Sequence, residues 1–281
     1  MAFANTEQAE FWSQMAPAWL EFEDRMDETS AVPGELAMDR LDLRPGQRVV
    51  DLGCGGGRTT LELASRVGPG GGVVGVDISA GVLARGRERA AQAGAGNVEF
   101  VHADLQVHDL GEARFDAAYS RFGVMFFADL VAAFANVRRS LRPGGVLSFV
   151  CWQGVFDNDW MLIPGAAVAS VLGSEPPMPA PEEPGPFSLS DPSRVHAVLD
   201  AAGFGSVGVT PHADQIVISE DRIPEVASTR LRTGRVRVML EDADEPTRRR
   251  ALAAIEEAMR ARLRDGQVRL SRGVLLVTGR A

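Results

Sequence analysis

The stretch Arg48-Val-Val-Asp-Leu-Gly-Cys-Gly-Gly-Gly-Arg58 decides the fold. Val49 and Val50 read as the core of a short buried strand that ends on an acid, Asp51. The chain then turns through Gly53, Gly55, Gly56 and Gly57 into a helix expected to begin near Thr59. Glycine suits backbone that must adopt positive φ or approach a ligand with no Cβ in the way. A strand, glycine loop and helix in succession also present free backbone N–H groups at the helix start, which makes a small-molecule cradle.

A dinucleotide-binding loop needs G-x-G-x-x-G, its third glycine letting helix pack on strand. Counted from Gly53 and Gly55, the third position holds Arg58; counted from Gly55 and Gly57, it holds Thr60. The spacing present is Asp51-x-Gly53-x-Gly55-x-Gly57. It resembles motif I of the class I S-adenosylmethionine (SAM)-dependent methyltransferases, with Cys54 inside the loop as that family commonly has it. Val73-Val-Gly-Val-Asp77-Ile-Ser79 resembles the family's second strand, whose terminal acid holds the ribose hydroxyls. Asn97-Val-Glu-Phe-Val-His-Ala-Asp104-Leu105 resembles the third, whose acid reads the adenine amine. Phe115 to Arg121 and Leu141 to Phe149 resemble strands four and five.

The chemistry agrees with that resemblance. A carboxylate at a strand end, Asp77, suits a ribose diol, and Asp104 suits an exocyclic amine. Ile78 and Leu105 supply apolar walls for a planar base, and Asp51 is placed to meet the α-ammonium of the methionine part. Asp77 alone would serve a nicotinamide dinucleotide as well; the glycine spacing argues against one. The cofactor residues implied are therefore Asp51, Gly53, Cys54, Gly55, Gly57, Asp77, Ile78, Asp104, Leu105 and Ser120, with SAM as the cofactor.

A chain of 281 residues is long enough for one large α/β domain with an elaboration. Hydrophobic residues make up 45% and charged residues 24%, as in a soluble globular protein. No apolar run suffices to span a bilayer and the N-terminus shows no signal-peptide pattern, so a cytoplasmic location is expected. A net charge of -9 argues against nucleic acid as a partner. All 29 basic residues are arginine, which reads as codon bias from a GC-rich genome. Cys54 and Cys151 fit neither a metal site nor a disulfide framework, so no metal is expected.

Working outward, Phe11, Met15, Trp19 and Phe22, with Trp12 beside them, have helical spacing and suggest an N-terminal lid over residues 1–34. A first core helix is expected from Glu35 to Leu41, and Ser79 should cap the helix after strand two. Leu130, Phe134, Val137 and Leu141 form one helix stripe, closed by Pro143-Gly144-Gly145. Alternation of strands and helices argues for a parallel sheet. The cofactor-binding core is placed at 35–151. An acceptor-site insertion at 152–190 includes the proline-dense tract from Pro176 to Pro186. The remainder of the core is placed at 191–281: a helix capped by Ser190 or Asp191, strand six from Val207 to Ile218, a helix carrying Leu252, Ile255, Met259 and Leu263, and strand seven from Val268 to Thr278. The whole is expected to be a doubly wound, Rossmann-like α/β fold of seven strands, the last antiparallel.

Ser120 to Asp129, Val150-Cys-Trp152, Phe187 to Pro192 and Ala201-Ala-Gly-Phe204 are more specific. They resemble a bacterial branch of the methyltransferases related to the ubiquinone/menaquinone-biosynthesis C-methyltransferases, and the similarity covers nearly the whole chain. It implies methyl transfer to a small organic acceptor, lipophilic or a secondary metabolite. Two rivals remain: an enzyme that uses SAM as a non-reacting cofactor for cyclisation or decarboxylation, and a non-catalytic partner subunit. The resemblance is compatible with O, N or C as the acceptor atom, and the expected assembly is a homodimer. A base is needed only for an acceptor protonated at neutral pH. The candidates for a catalytic group are His102, Tyr119 and Arg121; His108, His196 and His212 read as surface or structural, and Arg248 to Arg250 as a solvated helix face.

Overall fold

The computed structural model describes residues 3–175 and 183–281. Two helices, α1 (Thr6–Glu21) and α2 (Glu23–Asp39), precede β1 (Arg48–Leu52), α3 (Arg58–Val67), β2 (Gly72–Asp77), α4 (Ala80–Ala93) and β3 (Val98–His102). There follow β4 (Phe115–Arg121), α5 (Leu130–Ser140), β5 (Leu141–Trp152), α6 (Asp159–Leu172), α7 (Pro192–Ala201) and β6 (Gly205–Ser219). The chain closes with α8 (Ile223–Arg232), α9 (Gly234–Met239), α10 (Glu245–Arg260) and β7 (Gln267–Arg280).

The strands form one seven-stranded sheet in the order β3-β2-β1-β4-β5-β7-β6. Strands β1 to β5 pair in parallel, whereas β7 runs antiparallel to β5, from Val146↔Arg280 to Trp152↔Val274. The expected seven-stranded α/β architecture is the one observed. Val49, Val50, Asp51 and Leu52 are all buried, as a central parallel strand covered on both faces must be. The strand order reverses between β1 and β4, and such a switch point leaves a crevice beyond the carboxyl ends of the two strands.

Several elements differ from expectation. The core helix expected from Glu35 to Leu41 is the end of the longer α2, which runs from Glu23 through Pro33 without a break. Burial explains this: Thr29, Pro33, Gly34, Ala37 and Met38 form one inward stripe that outweighs the hydrogen bond proline forgoes. The expected boundary between residues 34 and 35 therefore falls inside a helix. The stripe of α5 stops at Ser140, and Leu141 opens β5 instead. Ser79 precedes α4 but caps it with no side-chain bond; its hydroxyl donates to the Trp12 carbonyl at 3.4 Å. Asp191 does cap α7, accepting from Ser193 N–H. Leu263 lies beyond the end of α10. Helices α8 and α9 occupy a stretch to which the spacing of apolar residues assigned no element. Positions 176–182 of the proline-dense tract lie outside the described residues.

The chain divides into two compact units. One comprises residues 1–152, 181–211 and 274–281, and contains β1 to β5 with α1 to α5 and α7. The other comprises residues 153–180 and 212–273, with α6, α8, α9 and α10. Within the second unit, Asn158 is fully buried. Its amide donates to the carbonyls of Gln153, Gly154 and Gly273, while its oxygen accepts from Trp160 Nε1 and Gly273 N–H. With every polar atom of this side chain partnered, Asn158 staples α6 to β7 rather than burdening the interior.

Candidate functional site

At the end of β1 the glycine loop is pinned to β2: Gly53 and Cys54 both donate their N–H groups to the Val76 carbonyl, at 2.9 and 3.1 Å. Gly53 has φ +67°, and a Cβ there would come within 2.9 Å of Gly123 Cα on the loop after β4. Both facts exclude any other residue. Gly57 caps α3 in the left-handed region, where a Cβ would run into the Phe100 ring at 2.7 Å. The loop is thus drawn tightly into the crevice between β1 and β4.

Three carboxylates stand at or just beyond the ends of β1, β2 and β3. Asp51 is fully buried; its Oδ2 accepts from the hydroxyls of Thr59 and Thr60, each at 2.7 Å. Its Oδ1 is buried with no hydrogen-bond partner. Burial lifts the Asp51 carboxyl to about 6, against the two threonine bonds and the Arg121 charge, which lower it. Asp77 ends β2, with Oδ2 accepting from Gly55 N–H at 2.8 Å and Oδ1 from Ser79 N–H at 2.9 Å. Burial also raises its pKa. Asp104 is 2% exposed; Oδ1 accepts from Gln106 N–H, and Oδ2 from the backbone N–H groups of Ala4 and Asn5.

These residues fit the cofactor that the sequence resemblance implies. An unpartnered buried carboxylate oxygen on Asp51 is costly unless a donor reaches it, and an ammonium is such a donor. A carboxylate has about four acceptor sites, so Asp77 has capacity beyond the bonds to Gly55 and Ser79, which suits a diol. Ile78 is half-buried and Leu105 buried at the ends of β2 and β3. Cys54 is buried, and burial beside Asp51 and Asp77 pushes its thiol up, so it stays neutral and unreactive.

The other candidates are committed to the scaffold in differing degrees. Ser120 donates to the Leu52 carbonyl at 2.7 Å and accepts from Gly123 N–H at 3.2 Å, tying β4 to β1 immediately under the glycine loop. Tyr119 is fully buried, and its hydroxyl donates to the Gly34 carbonyl of α2 at 2.8 Å; burial raises its pKa far beyond reach of a base role near neutrality. His102 Nε2 lies 3.0 Å from the Ile78 carbonyl, and its ring meets that of Phe3. Arg121 pairs with Asp27 of α2 at 2.7 Å. Its side chain crosses Gly34 at one wall of a recess of about 500 Å³, which Asp27, Arg58, Thr59, Glu62 and Tyr119 also line.

The N-terminal helix reaches the same loop. Trp19 Nε1 lies 3.8 Å from where a Cβ on Gly55 would stand, and Trp12 packs edge-on against Trp19 and Phe126. Sequence reasoning missed Asn5, which is 5% exposed and whose amide also donates to the Phe126 carbonyl at 3.1 Å. It missed the paired threonines under Asp51 as well. A pair of hydroxyls in the first turn of the helix that follows a strand-end acid was a signal available in Thr59-Thr60; Asn5 offered none.

A methyltransferase-domain family model matches residues 49–145. The chain is 32% identical over 180 residues to nocamycin O-methyltransferase of Saccharothrix syringae, a match that takes in 63% of this chain and only 60% of that enzyme. It is 32% identical over 177 residues to demethylmenaquinone methyltransferase of Corynebacterium kroppenstedtii, covering 60% of this chain and 72% of that enzyme. The crystal structure of the YcgJ protein of Bacillus subtilis shares the fold, with a TM-score of 0.56 at 18% identity over 88% of this chain and 96% of that one.

Proposed function

The chain belongs to the class I SAM-dependent methyltransferases, in the branch related to the quinone-biosynthesis enzymes, and from that premise we propose that it methylates a small, lipophilic organic acceptor. The observation that carries the reading is the ring of strand-end carboxylates about a tight glycine loop, with Asp51 Oδ1 buried and unpartnered.

When bound, SAM supplies an electrophilic methyl group on a sulfonium. That group would pass to a nucleophilic atom of the acceptor, whose proton would leave to water or a base. This chain's residues bind and orient. Asp77 would hold the ribose hydroxyls, Asp104 the adenine amine and Asp51 the ammonium. Ile78 and Leu105 would supply apolar contact to the base, and the Gly53 to Gly57 loop would let the backbone approach. Trp19 on α1, backed edge-on by Trp12, stands beside Gly55 and would shield the loop from water. Such positioning in a water-poor cleft supplies most of what a methyl transfer needs. Tyr119 has no free hydroxyl for base catalysis, and His102 and Arg121 stay as candidates for touching the acceptor side.

Among the described residues no helix is long and apolar enough to cross a membrane. A cytoplasmic enzyme, with a homodimer as its assembly, belongs to the same proposal, and sedimentation velocity checks the latter. The test of the reading is titration calorimetry of the full chain with S-adenosylhomocysteine (SAH), followed by incubation with SAM and a pool of phenols and quinols. Binding of SAH and a methyl gain on one pool member support it. No binding at millimolar concentration overturns it.

A further inference from the structure

The segment after β4 carries a feature that cofactor binding does not use. Phe122 has φ +60°, in the left-handed region. Among the described residues, the other non-glycine positions with positive φ are Asp42, Ala113, Ser206 and Asp265, all small or turn-forming, and Phe122 is the one bulky side chain. Holding a bulky side chain there strains the backbone, because its Cβ crowds the carbonyl oxygen. A glycine would make the same turn without strain, and Gly123 stands next in the chain. The turn alone therefore does not account for a phenylalanine.

Its surroundings hold the strain in place. Phe122 N–H donates to the Val150 carbonyl at 3.1 Å, one residue beyond the Arg121↔Val150 register of β4 and β5. The Phe122 ring lies parallel to the Trp152 indole, 11° between planes and 3.9 Å between centroids. Trp152 is 7% exposed and ends β5, so it is a rigid backing; Phe122 is half-buried. The pair stands at the carboxyl end of β4, on the rim of the switch-point crevice. Ser120 on one side of it bonds the Leu52 carbonyl, and Gly123 on the other abuts Gly53.

We infer that Phe122, backed by Trp152, is a specificity-determining residue whose flat ring packs against a planar aromatic acceptor, a phenol or fused-ring quinol, beside the cofactor loop. The inference rests on the methyl-transfer reading. Flat aromatic surfaces select flat partners because stacked rings gain contact and quadrupole complementarity that a puckered ring of equal size lacks. A preset wall also takes little ordering on binding, which is what a strained, over-determined residue provides.

The experiment first measures SAH binding to the full chain, then binding of 2-naphthol and of its saturated counterpart decahydro-2-naphthol to the SAH-loaded protein. The wild type is expected to prefer 2-naphthol by about tenfold or more. Phe122→Leu, which keeps apolar volume but loses the ring, is expected to bring the two probes within about threefold of each other and leave SAH affinity within about twofold. Phe122→Gly relieves the backbone strain, is expected to fold with an undiminished melting temperature, and should lose the preference too. Equal binding of both probes by the wild type, no binding of 2-naphthol, or an unchanged preference in both variants overturns this inference alone. A wild-type protein that ignores SAH overturns the methyl-transfer reading and this one with it.

Discussion

Asp104 at the end of β3 accepts the backbone N–H of Asn5 at 2.8 Å, and that of Ala4 at 2.9 Å, on the same oxygen. The acid assigned to the adenine amine is thus also the anchor of the N-terminal segment, and a carboxylate that is 2% exposed is closed off behind it. Deletion of residues 2–5 removes two charge-assisted bonds of about 1.5–3 kcal/mol each. Stopped-flow binding of SAH is expected to show faster association and faster dissociation for the deletion variant than for the full chain. Asn5→Ala keeps both backbone donors and should change the rates little; equal effects of the two variants would contradict the role given to the backbone.

Asp77 holds Gly55 and Ser79 through separate oxygens. Asp77→Ala is expected to weaken SAH binding by about 1.5–3 kcal/mol, by loss of charge-assisted acceptors for the ribose and of the loop's own anchor. Calorimetry decides this. Wild-type affinity in the variant would mean that the ribose lies elsewhere.

Asp51 should make stability depend on pH. Its carboxyl stands at about 6, against 3.8 for an ordinary aspartate, because burial outweighs the Thr59 and Thr60 bonds. A carboxyl whose pKa is raised on folding binds more protons folded than unfolded between the two values. Stability therefore falls as pH rises from about 4 to about 6 and is level above that. The displacement corresponds to roughly 3 kcal/mol. Urea midpoints measured from pH 4 to 7 should show the fall in the wild type and a flatter profile in Asp51→Asn. An ammonium brought to Oδ1 favours the charged form, so SAH binding near pH 6 should release a fraction of a proton. Calorimetry in two buffers of different ionisation enthalpy reads that release, and its absence would remove Asp51 from the ammonium's neighbourhood.

Tyr119 is expected to be structural. Tyr119→Phe strips the donor from the buried Gly34 carbonyl and should destabilise the fold by about 1–2 kcal/mol in urea, with SAH affinity and turnover of any methylated acceptor unchanged. A large fall in turnover at unchanged stability would return the hydroxyl to the chemistry.

The cofactor loop was legible because its signals are local. Asp51, Gly53, Asp77 and Asp104 sit at fixed offsets from short apolar runs, and a parallel strand surrounded by helices can bury such runs in few ways. The continuous α2 was not legible, because Pro33 argues against a helix until the stripe from Thr29 to Met38 is seen to be buried. Helices α8 and α9 were missed for a related reason: they are short, and only packing on α6, together with that of α8 on α10, within their unit gives them an apolar surface to cover.

The sequence by itself determined the seven-stranded α/β fold, the glycine loop and the acids around it, since each depends on neighbours within one strand and one turn. How the candidate side chains are used follows from contacts between distant strands and helices. Ser120 and Tyr119 spend their hydroxyls on Leu52 and Gly34, Asp104 receives Asn5 from 99 positions away, and Phe122 takes a strained turn against Trp152. Hydrogen bonds and ring contacts between residues far apart in the chain leave no periodicity in it; they exist only once the sheet has brought the strand ends together.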